Sequence, residues 1–181
     1  MLPKALDLII TANDMIEVIN LSRTLGHPEM LPVAFYLCAA VVPLSMLVRG
    51  IQRADGTLET FSVDDLERVL MGRDRLMSKR SHYAYAIYAL EPSPACQQKQ
   101  RCMAGLAEER HRVLTTEAHS KGSHVLHRMF RKQLEAAQKS GTLCADCIDA
   151  IVTRQQQLQQ DVWSNLPKTF NLEIEGWPAP A

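Results

Sequence analysis

The chain has 181 residues, 46% of them hydrophobic, and its 20 basic and 20 acidic side chains leave no net charge. That length and apolar content suit one domain, or a domain with an added lobe, and exclude a disordered polar segment. The charge balance removes the electrostatic case for nucleic acid or an anionic membrane surface.

Leu2, Leu6, Ile9, Ile10, Ile16 and Ile19 recur near helical spacing, interrupted by Asn13-Asp14. The pattern predicts two short helices, about 3–11 and about 14–25. Gly26-His27-Pro28 should end the second, because Gly suits the C-terminal position and Pro cannot continue a helix. Asp7 precedes any long apolar run, so no signal peptide is expected.

The longest apolar stretch, 31–44, contains Pro32, Tyr36 and Pro43. It falls short of the roughly 20 residues that span a bilayer, so no membrane partner is expected. A buried helix is predicted over about 30–40, with Cys38 as a core residue, followed by a short helical turn from Leu44. In 50–60, Asp55-Gly56 favours a hairpin turn, but its flanks do not alternate, so a loop is expected.

Ser62 reads as the N-cap of the next helix, with Asp65 in the capping-box position. Leu66, Val69, Leu70 and Met77 are its expected buried side, and Gly72-Arg73-Asp74-Arg75 interrupts the pattern as a kink. Tyr83, Tyr85, Ile87, Tyr88 and Leu90 continue as an aromatic helical stretch, read as core with hydroxyls at its rim. Glu91-Pro92-Ser93-Pro94 breaks the chain.

Leu106, Val113 and Leu114 mark a helix over about 103–118. Lys121-Gly122-Ser123 is a joint, with Ser123 as cap for the helix carrying Leu126, Met129, Phe130, Leu134 and Ala137. The outer face of that helix bears His127, Arg128, Arg131 and Lys132, a solvated basic face by default. Ile148, Ile151, Leu158 and Val162 stripe a long helix over about 145–164, which Pro167 prevents from continuing. Phe170, Leu172 and Trp177 should fold back as an apolar tail, with a loose end after them.

Two cysteine pairs organise the second half. Five residues separate Cys96 from Cys102, and two separate Cys144 from Cys147, about forty residues further on. Without a secretion signal, thiols point to a reducing, intracellular compartment, cytoplasm or nucleus, where metal ligation or burial is favoured over disulfides. Each pair is local and follows a break at Pro94 or Gly141, so one ion needs to close a single long loop. The expected site is a structural Zn²⁺ on Cys96, Cys102, Cys144 and Cys147, with Lys99 and Arg101 moderating its negative charge. The first spacer is wider than usual, and His111, His119, His124 and His127 remain alternative ligands. No nucleophile elbow, phosphate loop or zinc-protease motif is present, and a four-thiolate zinc has no open position for substrate.

Several stretches together resemble the C-terminal region of fungal BTB/POZ-domain proteins, of the type expanded in mushroom-forming fungi. They are Leu31-Pro32-Val33-Ala34-Phe35-Tyr36-Leu37-Cys38, Arg53-Ala54-Asp55-Gly56-Thr57, Gly72-Arg73-Asp74-Arg75-Leu76, the two cysteine pairs, and the closing stretch from Trp163-Ser164-Asn165-Leu166-Pro167 to Phe170-Asn171-Leu172. Residues 5–25 resemble the helical pair that follows a BTB domain, with Ala12-Asn13-Asp14-Met15 where the family tends to have Lys-Tyr-Asp-Met. The resemblance does not reach the BTB domain itself, so BTB-mediated dimerisation and cullin recruitment are not carried over whole. It implies a non-enzymatic protein–protein interaction region of an adaptor or scaffold, with a cullin-type ubiquitin-ligase scaffold among its implied partners.

The expected architecture is therefore all-α, an irregular helical bundle with short loops and a four-cysteine zinc site. Its expected parts are a hairpin over 1–28, a core over 29–90, a lobe over 91–172 closed by the cysteine pairs, and a tail over 173–181. The alternative is a thiol-redox or metal-dependent enzyme using Cys144 and Cys147. A nucleic-acid binder using Arg128, Arg131 and Lys132 ranks below both.

Overall fold

A computed structural model describes residues 14–53, 55–115, 126 and 131–178. The described residues are all-α apart from one two-stranded ribbon, and they fall into two compact units. The first takes the described residues up to Asp74 together with Leu166–Trp177, and the second takes Arg75–Asn165 and Pro178. The segment Leu166–Trp177 thus belongs to the same unit as the start of the described chain. The expected helix over 3–11, the 121–123 joint, and His119, His124, His127 and Arg128 lie outside the described residues.

In the first unit, α1 (Met15–Leu25) buries Met15, Ile16 and Ile19 and ends at Gly26. Gly26 adopts φ +71°, and the His27 N–H bonds back to the Ser22 carbonyl at 2.9 Å, which satisfies an orphan carbonyl of the last turn. After a 3-10 turn at Pro28–Met30, α2 (Leu31–Val41) is buried almost all round, as its uninterrupted apolar sequence requires. Pro43 forces the preceding Val42 into an extended conformation, and α3 (Leu44–Arg49) begins behind it. Cys38 is fully buried in α2.

The expected loop over 50–60 is instead a short hairpin, β1 (Ile51–Gln52) antiparallel to β2 (Leu58–Glu59), with Ile51 opposite Glu59. Apolar alternation does not hold it. The turn is closed by Arg53 N–H to Thr57 O at 2.8 Å and by Thr57 N–H to the Asp55 carboxylate at 2.9 Å. Asn20 of α1 donates to Glu59 at 2.8 Å and to the Thr60 carbonyl at 3.0 Å, and Arg53 pairs with both Glu17 and Glu59.

Ser62 caps α4 (Val63–Ser78) through its hydroxyl, which accepts the Asp65 N–H at 3.2 Å. The Asp65 carboxylate does not return to the cap. It is buried and accepts from Arg23 of α1 at 2.7 Å and from Arg68 at 3.2 Å. The helix runs through Gly72 without interruption, and its buried stripe is Asp65, Val69, Gly72 and Leu76; Met77 is 46% exposed. Gly72 is needed for packing: a Cβ there would lie 2.1 Å from the Phe170 ring. Phe170 follows α9 (Leu166–Thr169), is fully buried, and stacks on Phe35 of α2 with ring centroids 5.6 Å apart. Pro167 sits in the first turn of α9, where its missing N–H costs nothing.

The second unit contains α5 (Arg80–Ile87), α6 (Lys99–Thr115), α7 (Arg131–Lys139) and α8 (Ala145–Ser164). Helix α5 packs against α6 and α8, and α7 packs against α8. Tyr83 and Tyr88 are core residues, whereas Tyr85 is half exposed beneath the Arg110 guanidinium, 4.7 Å from its ring centroid. Helix α6 starts four residues ahead of the predicted position, which places Cys102 in its first turn.

Candidate metal centre

The four cysteines of the two pairs converge in the second unit. Their sulfurs all lie within 4.8 Å of one another, and Cys96 Sγ and Cys144 Sγ are 3.7 Å apart. Among the described residues this is the group of His, Cys, Asp and Glu side chains that could hold a metal ion. Cys96, Cys102 and Cys147 are buried, and Cys144 is partly exposed. They share one apolar cluster with Ala84, Ile87, Tyr88, Leu106, Leu143 and Ile151.

Local backbone explains each position. Cys96 lies in the loop after Pro94, where its N–H bonds to the Ser93 carbonyl at 2.9 Å. Cys144 is the N-cap residue of α8, and Cys147 lies in the first turn of the same helix. Two helix N-termini, those of α6 and α8, therefore face the cluster, and their orphan N–H groups and partial positive charge favour thiolate. Three backbone N–H groups donate to sulfur at 3.4 Å each: Ser93 to Cys147, Gln98 to Cys96, and Cys144 to Cys102.

The approach of α6 to the second cysteine loop depends on Gly105. A Cβ at Gly105 would sit 2.7 Å from the Thr142 carbonyl oxygen and 3.1 Å from Leu143. Sequence reasoning missed Gly105, Ser93 and Gln98. An isolated glycine inside a helical pattern was a usable signal for the first, but backbone N–H donors carry no mark in side-chain identity.

Burial raises the Cys102 thiol and pushes the Cys147 thiol up to about 12. At Cys144 burial also acts upward, but the Cys147 N–H and hydrogen bonds from the neighbouring thiols outweigh it, so this thiol lies below its usual value. Four thiolates this close repel one another strongly, and a cation is the group that would let them ionise together. The donor set, four sulfurs of which three are buried, suits a soft or borderline ion.

Of the other expected participants, Arg101 reaches the second loop, its guanidinium 4.0 Å from where a Gly141 Cβ would lie. Lys99 is exposed at the start of α6, and His111 is exposed further along that helix, outside the sulfur group. The side chain of Cys38 belongs to the first unit and takes no part. No described helix is long and apolar enough to cross a membrane. No family model, curated protein or solved structure matches the chain.

Proposed function

We propose that this chain is a non-enzymatic, helical protein–protein interaction module in which Cys96, Cys102, Cys144 and Cys147 hold one structural Zn²⁺. The observation that carries this reading is the closed, all-sulfur donor set. A zinc ion with Zn–S bonds of about 2.3 Å has sulfur–sulfur edges of about 3.8 Å in a regular tetrahedron. The 3.7 Å between Cys96 and Cys144 fits that edge, and the 4.8 Å limit on the other pairs requires only a small contraction. An iron–sulfur cluster would need room for its own sulfides between the thiolates, which favours a single ion. Bound zinc would supply charge neutralisation and a cross-link, and four thiolates leave it no open position for substrate.

The role of the chain's own residues is then architectural. Cys96 and Cys102 anchor the start of α6, Cys144 and Cys147 anchor the start of α8, and the loop between the pairs is closed. The first unit carries apolar surface suited to a partner: Leu44 and Val48, one turn apart on α3, are 54% and 59% exposed. The resemblance to BTB/POZ C-terminal regions makes the partner a protein, with a cullin-type scaffold as the specific candidate.

Metal analysis of protein purified without chelator tests the site. The expected result is about one zinc per chain, with the four site thiols protected until chelator is added. A metal-free protein with freely reactive site thiols would overturn it. Titration of a purified cullin-type scaffold by calorimetry tests the adaptor assignment, and absence of binding removes that partner. The partly exposed, low-lying Cys144 thiol at the start of α8 favours a second reading, a thiol-redox protein using Cys144 and Cys147. Rapid Cys144 alkylation in the untreated protein would select that reading.

A further inference from the structure

Resting on the zinc reading, we infer that Cys96 and Cys144 are the pair that oxidation joins first, and that their disulfide expels the metal while keeping the loop closed. The two sulfurs are 3.7 Å apart, against about 2.05 Å in a disulfide. Of the four site cysteines, Cys144 is the one that is not buried, so an oxidant in solution reaches it first. It is the N-cap residue of α8: its carbonyl accepts the first bond of the helical ladder, from the Ile148 N–H at 3.1 Å, but its backbone is extended and its side chain can turn about the Cα–Cβ bond without disturbing that ladder. Cys96 sits in non-helical chain, and its sulfur accepts from Gln98 of its own loop. Both partners can therefore shift without breaking a helix.

The other two sulfurs are more constrained. Cys102 and Cys147 are almost fully buried, lie inside α6 and α8, and accept N–H groups from other segments, Cys144 and Ser93. Joining either of them would mean moving a helix within the apolar cluster.

The oxidant class is a peroxide. The Cys144 thiolate attacks one peroxide oxygen, the O–O bond breaks, and a sulfenic acid and hydroxide form. The Cys96 thiolate then attacks the Cys144 sulfur and displaces a second hydroxide, closing the disulfide. Two electrons pass from the two sulfurs to the peroxide, and one peroxide is consumed per chain. Cys102 and Cys147 alone leave the ion half-ligated, so it dissociates. The new bond spans the same gap in sequence, from 96 to 144, that the metal had bridged.

The experiment uses the full chain in two forms, zinc-loaded and reduced metal-free, each treated with one equivalent of hydrogen peroxide. Zinc release is followed with a chromophoric chelator, the cross-link is located by peptide mass mapping, and helicity is followed by circular dichroism. The expected result is loss of the bound zinc, a Cys96–Cys144 link in both forms, and retained helicity in the oxidised chain. A Cys144–Cys147 or Cys96–Cys102 link, zinc retention, or over-oxidised thiols with no cross-link would overturn the inference. Should the purified chain hold no zinc, the functional proposal fails, and the metal-free arm still decides which pair joins. Cys144→Ser, which removes the reaching thiol, should abolish the cross-link; a disulfide persisting between other site cysteines at equal yield would also overturn it.

Discussion

The backbone N–H of Cys144 donates to the sulfur of Cys102, 42 residues earlier in the chain, at 3.4 Å. One residue thus offers the cluster both a sulfur and a hydrogen bond to another sulfur, and the start of α8 is aligned on the start of α6. Ser93 and Gln98 add only their backbone N–H groups, donated to Cys147 and Cys96 at 3.4 Å. If the proposed Zn²⁺ holds the four sulfurs, removing it should free these three donors together. Hydrogen exchange with and without chelator is expected to show the Ser93, Gln98 and Cys144 amides losing protection, while amides in α1 and α2 keep theirs. Unchanged exchange at all three would show that no ion tensions the site.

Gly105 allows α6 to approach the Thr142 carbonyl. Gly105→Val should cost about 1–3 kcal/mol through overpacking against backbone that cannot give way, and, on the proposed zinc site, should lower the metal content of the purified protein. Thermal unfolding combined with metal analysis checks both, and a variant with parental stability and full metal loading would contradict the prediction.

Gly72 and Phe170 form the corresponding contact in the first unit. A Cβ at Gly72 meets the ring at 2.1 Å, so Gly72→Ala should destabilise by about 1–3 kcal/mol despite the better helix propensity of Ala. Combining it with Phe170→Leu should recover part of the loss, because the two changes share one volume. A double-mutant cycle in urea measures that coupling, and strict additivity would refute it.

Cys38 provides a pH test independent of the metal. Burial holds its thiol neutral up to about 12, from an ordinary value of 9.0. The folded value lies above the unfolded one, so the unfolded chain loses this proton first as pH rises. The stabilisation is therefore complete below about pH 9 and is lost at roughly 1 kcal/mol per pH unit toward pH 12. Urea midpoints of the parent and of Cys38→Ala, compared at about pH 8 and about pH 10, should converge as pH rises. A gap that stays constant would mean the thiol is not held neutral.

What could be read along the chain was local. The ends of α1, α2 and α8 follow from Gly26, Pro43 and Pro167 together with helical spacing, because caps and breakers act through bonds a few residues long. The all-α class follows in the same way, and the two cysteine spacings marked a candidate donor set. Tertiary contact decided the rest. The 51–59 hairpin exists because α1 supplies Asn20 and Glu17 to it, and no alternation in its own strands announced that. Gly72 reads as a breaker until Phe170, almost a hundred residues away, is seen to need its missing Cβ. Asp65 reads as half of a capping box until Arg23 takes its carboxylate. The convergence of four sulfurs within 4.8 Å likewise depends on Gly105 letting α6 close on the Thr142 loop, a steric condition between distant segments that no local pattern encodes.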